Sequence, residues 1–185
     1  LRLQYLGTRD TVISTSGPAL ALRDDWREQL RRLQAMGTEL ISFTIHGRGP
    51  INDRIVSRPG AYEETKLALR RVAEAGLKRS LGVMLNAELL EDFEPFIDDI
   101  TTVGYDEVHF QIPSFLPLER LRKYEELRPD FAQIELHREV MHDLSPSARR
   151  SLERIPECTE SAHVAKAAMK EAPLADWEGF YDDSE

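Results

Sequence analysis

The sequence predicts an α/β fold in which parallel strands alternate with helices. Short β-favouring runs and amphipathic helical runs follow one another from Thr11 to Pro113. Three helical runs end at a glycine, at Gly37, Gly76 and Gly104, and a strand begins soon after each one. This alternation is typical of right-handed βαβ units, whose strands lie parallel in one sheet.

Four strands are predicted from runs of apolar and β-branched residues that end at turn-forming residues. The second strand is almost continuously apolar, and we expect it to be buried on both faces. The predicted strands cover Thr11 to Gly17, Leu40 to Ile45, Ser80 to Asn86, and Glu107 to Ile112.

Helical periodicity fills the segments between these strands and predominates after Pro113. In the first part, helices are predicted from Asp24 to Gly37, from Pro59 to Ala75, and from about Glu88 to Val103. In the second part, the predicted helices are Leu118 to Leu127, Phe131 to Leu144, Ser147 to Ile155, and Ser161 to Glu171. We therefore divide the chain into βα repeats over 1–116 and a helical C-terminal extension over 117–185.

Charge and cysteine content exclude several classes of protein. A net charge of −9 argues against a nucleic-acid partner, because phosphate binding requires a basic face. No apolar run approaches bilayer-spanning length and no signal peptide is visible, so we expect no membrane partner. Cys158 is the only cysteine, which excludes an intrachain disulfide and a complete cysteine-held iron–sulfur cluster from this chain alone. The cytoplasm is the expected compartment.

Small or polar residues stand at the carboxyl ends of all four predicted strands, where parallel sheets bind ligands. The strand ends are Thr15-Ser16-Gly17, Thr44-Ile45-His46-Gly47, Asn86, and Gln111-Ile112-Pro113. We expect these ends to meet at one pocket. The polar segment that follows His46 is predicted to be an irregular connection, and connections of this length usually line a site.

The histidines leave several interpretations open. His46 could be a general base, a metal ligand, a donor to a bound anion, or a histidine satisfied by loop backbone. Asp53 could orient His46 or the loop, or simply form an Asx turn. His109 and Glu107 share one face of the fourth strand. His137 and His142 are five residues apart, about 140° around a helix, and are poorly spaced as a metal pair.

The order of these motifs resembles the radical S-adenosylmethionine (radical SAM) superfamily, most closely its branch that modifies peptides or cofactors. Thr15-Ser16-Gly17 is similar to that family's T-N-G strand end, and Thr44-Ile45-His46-Gly47 to its S-L-D-G strand end. The remaining similar segments are Asn52-Asp53 to Pro59-Gly60, Tyr62 to Leu77, Asn86, and Gly104 to Pro113. The resemblance covers Thr11 to Pro113.

The resemblance implies a partial TIM-like barrel of parallel strands with outer helices. It implies a [4Fe–4S] cluster and S-adenosylmethionine in the complete protein, and reductive cleavage of S-adenosylmethionine to a deoxyadenosyl radical that modifies a peptide or small-molecule substrate. The residues that it places at the S-adenosylmethionine site are Thr15, Ser16, Thr44, His46, Asn86 and Gln111.

The family's cluster needs three closely spaced cysteines, and this chain has one. We therefore expect the chain to be the later part of such a barrel and inactive alone. Its expected partners are the missing N-terminal segment, a partner chain or a swapped copy of itself.

Two other functions remain open from the residues alone. One is a metal-assisted hydrolase or lyase that uses His46, Asp53 and His109. The other is a non-catalytic, degenerate barrel that binds a partner or a peptide.

Overall fold

The computed structural model describes residues 12–15, 17–112 and 127–155. Within these ranges the elements are β1 (Val12–Thr15), α1 (Pro18–Ala21), α2 (Trp26–Ala35), β2 (Leu40–Ile45), α3 (Pro50–Ile55), α4 (Ala61–Glu74), β3 (Lys78–Met84), α5 (Ala87–Glu91), α6 (Phe93–Val103), β4 (Glu107–Gln111), α7 (Phe131–Leu136), α8 (Arg138–Leu144) and a further helix, α9, over 146–155. None of the described helices is both long enough and apolar enough to cross a bilayer.

The four strands form one sheet in which the spatial order is also the chain order, β1-β2-β3-β4. All three strand pairs are parallel, which confirms the predicted α/β class. The described strands do not close on themselves, so this part of the chain forms an open sheet. Each connection moves to the next strand in the same direction across the sheet. Because βαβ crossovers are right-handed, this places the connecting helices on one face of the sheet only.

The core lies between this helical layer and alternate residues of the strands. On β2, Ile41, Phe43 and Ile45 are fully buried, while Thr44 is exposed and Ser42 is partly buried. The expectation that β2 is buried on both faces is therefore wrong, because the helices cover only one of them. Helices α4 and α6 supply most of the opposing layer, through Ala68, Leu69, Val72, Phe93, Phe96 and Ile100.

Two predicted helices are each divided in the structure. The run from Glu88 to Val103 forms α5 and α6, which meet at Asp92. Pro95 accounts for this break, because its ring would collide with the carbonyl of Glu91 in a continuous helix. The run from Phe131 to Leu144 forms α7 and α8, with a turn at His137 whose ring packs 4.7 Å, centroid to centroid, from that of Phe93.

The outer edge of β4 is covered by the C-terminal helices. The hydroxyl of Ser145 donates to the carbonyl of Val108 over 2.9 Å, and the hydroxyl of Ser151 accepts from the backbone N–H of Phe110 over 2.9 Å. These two hydroxyls satisfy backbone groups that another strand would otherwise bind. The buried residues Met141, Ala148 and Leu152 join the same core as the sheet. The predicted boundary at 116/117 falls outside the described residues and stays a prediction.

Replacement of Leu69 by alanine tests the core. Leu69 is 1% exposed on α4, so Leu69→Ala should lower the free energy of unfolding by about 3 kcal/mol through lost burial and a residual cavity. Arg70→Ala, at the exposed neighbouring position, is the control and should change it by less than about 0.5 kcal/mol. Urea denaturation measures both, and equal effects would contradict the assigned burial.

Candidate functional site

The face of the sheet opposite the helices is polar. Residues paired across neighbouring parallel strands point to the same face, so the strand registers define rows of side chains. The first row holds Ser14, Ser42, Ser80 and Glu107; the second holds Thr44, Gly82 and His109; the third, nearest the carboxyl edge, holds Met84 and Gln111. A largely polar face on a parallel sheet is unusual, because such sheets are normally covered on both faces by apolar contacts.

The structure separates Thr15 from the other predicted site residues. Thr15 is in register with the buried Phe43, so its side chain points to the helical face, whereas Thr44 points to the polar face. The Thr15 hydroxyl accepts a hydrogen bond of 3.1 Å from the backbone N–H of Gly17, which forms the turn into α1. Ser16, the predicted neighbour of Thr15 at the site, lies outside the described residues.

His46 is held at the end of β2 through its backbone. Its N–H donates to the side-chain oxygen of Asn52 over 3.0 Å, and its carbonyl accepts from the side-chain amide of Asn86 over 2.5 Å. Both asparagines are 2% exposed. These bonds fix the position of His46 through its backbone and do not use its imidazole.

Asn86 joins three parts of the fold. Besides the carbonyl of His46, its amide group binds the carbonyl of Met84, and its side-chain oxygen caps α5 by accepting from the N–H of Leu89. Both amide hydrogens are therefore used by the protein itself. The predicted contact between Asn86 and a nucleoside stays a prediction, while the bonds described give Asn86 a positioning role toward His46.

The connection after β2 was predicted to be irregular throughout. The structure shows instead that it contains the short helix α3. Gly47 permits the close approach of this helix, because a Cβ there would lie 2.5 Å from Cγ2 of Ile51. Arg48 forms a two-bonded ion pair with Asp92 at 2.8 and 2.9 Å, and Arg54 pairs with Glu88. The connection is thus a packed helix fastened to the start of α5 and α6.

Asp53 fastens the other end of this connection. Its two carboxylate oxygens accept from the backbone N–H groups of Gly60 and Tyr62 over 2.6 and 2.8 Å, at the start of α4. A carboxylate here satisfies N–H groups that have no partner within the helix and complements the helix dipole. Of the roles considered for Asp53, these bonds support the one in which it orients the loop.

The ring of His109 reaches across β3 on the polar face of the sheet. Its Nδ1 is 3.3 Å from the hydroxyl of the buried Ser80, and a Cβ on Gly82 would lie 2.9 Å from its Nε2. Gly82 therefore provides the space that the ring occupies. One signal in the sequence points to this arrangement: a glycine in the middle of an otherwise apolar strand often marks a close approach.

Burial governs the protonation of both site histidines. It lowers the pKa of His46 and of His109 below the ordinary histidine value, and for His109 the nearby Glu107 carboxylate opposes this only in part. Both imidazoles are consequently neutral at pH 7 and can accept or donate a hydrogen bond. A neutral imidazole suits a hydrogen-bonding or general-base role.

A cavity of about 640 Å³ lies between β4 and α9. Met84, His109 and Gln111 form its sheet side, and α9 contributes Arg150 and Arg154. These two arginines are not among the site residues predicted from the sequence. Their four-residue spacing, which places them on one face of a helix, was the available signal.

The histidines and carboxylates do not form a metal site in the described ranges. No group of three or more histidine, cysteine, aspartate or glutamate side chains there could hold a metal ion. His46, Asp53 and His109, the set considered for a metal-assisted reaction, do not form such a group. Cys158 lies outside the described residues.

Comparison with known proteins does not place the chain in a family. No family model matches the sequence, and no curated protein matches it.

The two buried histidines predict a pH dependence of stability. A histidine with a lowered pKa in the folded protein takes up more protons when unfolded, so stability should fall as the pH drops below about 6.5. His109→Gln should reduce the loss of unfolding free energy between pH 7.5 and pH 5.0, since glutamine does not titrate.

Urea denaturation at several pH values measures this effect. Thr102→Val, an exposed change on α6, is the control and should retain the dependence of the unmodified protein. The same pH dependence in His109→Gln and in the control would show that His109 protonates freely in the folded state.

Proposed function

We propose that this chain is the later part of a radical SAM barrel, which in the complete protein cleaves S-adenosylmethionine reductively and modifies a peptide or small molecule. The observation that carries the proposal is the polar sheet face with Thr44, His109 and Gln111 near its carboxyl edge. Helices on one face and a second face free of helices are what a barrel wall requires, because the second face lines the interior. Polar side chains on that second face are suited to bind a polar ligand.

The iron–sulfur cluster does not fit this chain by itself. Three thiolates are needed, and the chain has one cysteine, so cluster ligands must come from another segment or chain. Polar groups for S-adenosylmethionine are present. Thr44 and Gln111 are exposed, and His46 follows Thr44 by two residues at the end of β2. These side chains can hydrogen-bond the ribose, the adenine or the methionyl group.

The proposed site contains residues that touch the ligand and one residue that positions His46. In this proposal, Thr44, His46 and Gln111 bind S-adenosylmethionine, and Asn86 acts through the backbone of His46. Thr15, on the opposite face, shapes the turn that follows β1. Ser16 keeps its expected place at the site by resemblance alone.

Two variants of the complete protein test this function. Thr44→Val removes an exposed hydroxyl, and His46→Ala removes an imidazole while leaving both of its backbone hydrogen bonds. After reconstitution with iron and sulfide, each variant should produce deoxyadenosine at least about tenfold more slowly, the effect of losing one good polar contact.

Thr102→Val is the matched control for Thr44→Val, because it makes the same chemical change on the exposed surface of α6. Its rate should equal that of the unmodified protein, and all three variants should keep the same unfolding midpoint. Undiminished deoxyadenosine formation by both site variants would remove these residues from the site. A complete protein that neither binds iron and sulfide nor cleaves S-adenosylmethionine would instead support the non-catalytic alternative.

The free side of β1 is the proposed attachment point for the preceding part of the barrel. No described strand pairs with the outer edge of β1, and Val12 is 54% exposed. Beside it, Ile13, Leu20 and Leu33 line a cavity of about 270 Å³ on the helical face. A strand added to this edge, with its helix over the cavity, would bury both. We assign this place to the N-terminal segment of the complete protein, with a partner chain or a swapped copy as the alternatives.

Hydrogen exchange tests this attachment. The backbone N–H groups of Val12–Thr15 that point away from β2 should exchange at least about tenfold more slowly in the complete protein than in the 185-residue chain, because only these groups gain a strand partner. N–H groups of β3, paired on both sides, serve as the internal control and should be protected in both. Equal exchange at β1 in the two proteins would exclude strand addition there.

A further inference from the structure

The cavity between β4 and α9 combines positive charge with an apolar wall. Arg150 and Arg154 line it from α9, and Met84, Ile112 and Ile155 provide apolar surface. Its volume, about 640 Å³, lies within the range of small-molecule sites. We refer to it below as the α9 cavity.

The two arginines differ from most others in the described ranges. Nine arginines there form ion pairs with aspartate or glutamate, namely Arg23, Arg27, Arg31, Arg32, Arg48, Arg54, Arg58, Arg79 and Arg138. Arg150 instead donates to the hydroxyl of Ser147 over 2.8 Å, and in the described part of the chain neither Arg150 nor Arg154 pairs with a carboxylate. Unpaired guanidinium groups that share a cavity are suited to bind an oxyanion.

The remaining polar groups of the cavity keep its charge positive. Glu107 contributes one carboxylate, which accepts from the hydroxyl of Ser147 over 3.4 Å. His109 and Gln111 are neutral and can donate hydrogen bonds. Two guanidinium groups and one carboxylate leave a net charge of +1 on a chain whose net charge is −9. The cavity is therefore a local positive centre on an acidic protein.

We propose that the α9 cavity binds a small organic anion with a carboxylate or phosphate group. The anionic group binds Arg150 and Arg154, and the apolar body of the ligand lies against Met84, Ile112 and Ile155. The α9 cavity includes His109 and Gln111 of the polar sheet face, but the groups that bind the anion, Arg150 and Arg154, lie on α9 and have no part in the proposed S-adenosylmethionine site. This inference therefore goes beyond the proposed radical SAM function and stands without it. It describes a second ligand, bound at the edge of the sheet.

The test is a titration of the 185-residue chain with hexanoate and, separately, with hexyl phosphate, at low ionic strength. The imidazole NMR signals of His109 report occupancy, since its ring lines the cavity. We expect saturable shifts with at least one of the two anions. The anion that binds more tightly shows whether the cavity prefers a carboxylate or a phosphate group. Hexylamine, with the same apolar body and the opposite charge, should give no saturable shift.

A pair of double variants separates specific binding from a general effect of charge. Arg150→Gln with Arg154→Gln should raise the dissociation constant about tenfold or more, as expected for the loss of charged hydrogen bonds. Arg70→Gln with Arg149→Gln removes the same charge from two exposed arginines outside the cavity, and should change the constant less than about twofold.

If the double variant is less well folded, as judged by its unfolding midpoint, the single variant Arg154→Gln provides a second measurement of binding. It should weaken binding more than Arg149→Gln does. Absence of saturable binding in the unmodified chain, equal weakening in the two double variants, or equal binding of hexylamine would each overturn the proposal.

Discussion

The direction in which the chain winds is the constraint on which the rest of the structure depends. Each crossover from β1 to β4 adds the next strand on the same side of the previous one. Right-handed crossovers of this kind cannot place helices on both faces. The apolar side chains of β2, β3 and β4 that meet the helices therefore form the whole sheet core, and the opposite face is free to carry serine, threonine, histidine and glutamine.

Much of the fold could be predicted from local pattern, and the errors have identifiable physical causes. The glycines that follow each predicted helix and precede the next predicted strand were sufficient to predict the α/β class. Burial of β2 was misjudged because Leu40 makes the run look uniformly apolar, although Ser42 and Thr44 occupy the uncovered face. Helix α3 has six residues, too few for a periodic signal, and it is stabilised by contacts such as Arg48 with Asp92 that lie 44 residues apart.

The site was predictable in position but not in orientation. Polar residues at strand ends identified the carboxyl edge. Which face each side chain takes depends on register, and a shift of one residue reverses it, as the opposite placement of Thr15 and Thr44 illustrates. The sequence could not show that the side-chain amide of Asn86 binds the backbone of the protein itself, since an asparagine can bind either backbone or ligand equally well. The α9 arginines reach their cavity because Ser145 and Ser151, together with the buried core residues of α9, dock that helix on β4.

The two hydroxyls that cover the last strand also limit how copies of this fold can associate. Open-ended association of sheets edge to edge, as in fibrils, requires each molecule to offer two free sheet edges. Among the strands that the structure describes, one border of the sheet is occupied by serine side chains and the four-residue border of β1 is the one left unpaired. Association through strands should consequently terminate after a single addition, giving a closed pair or one completed sheet and no growing polymer.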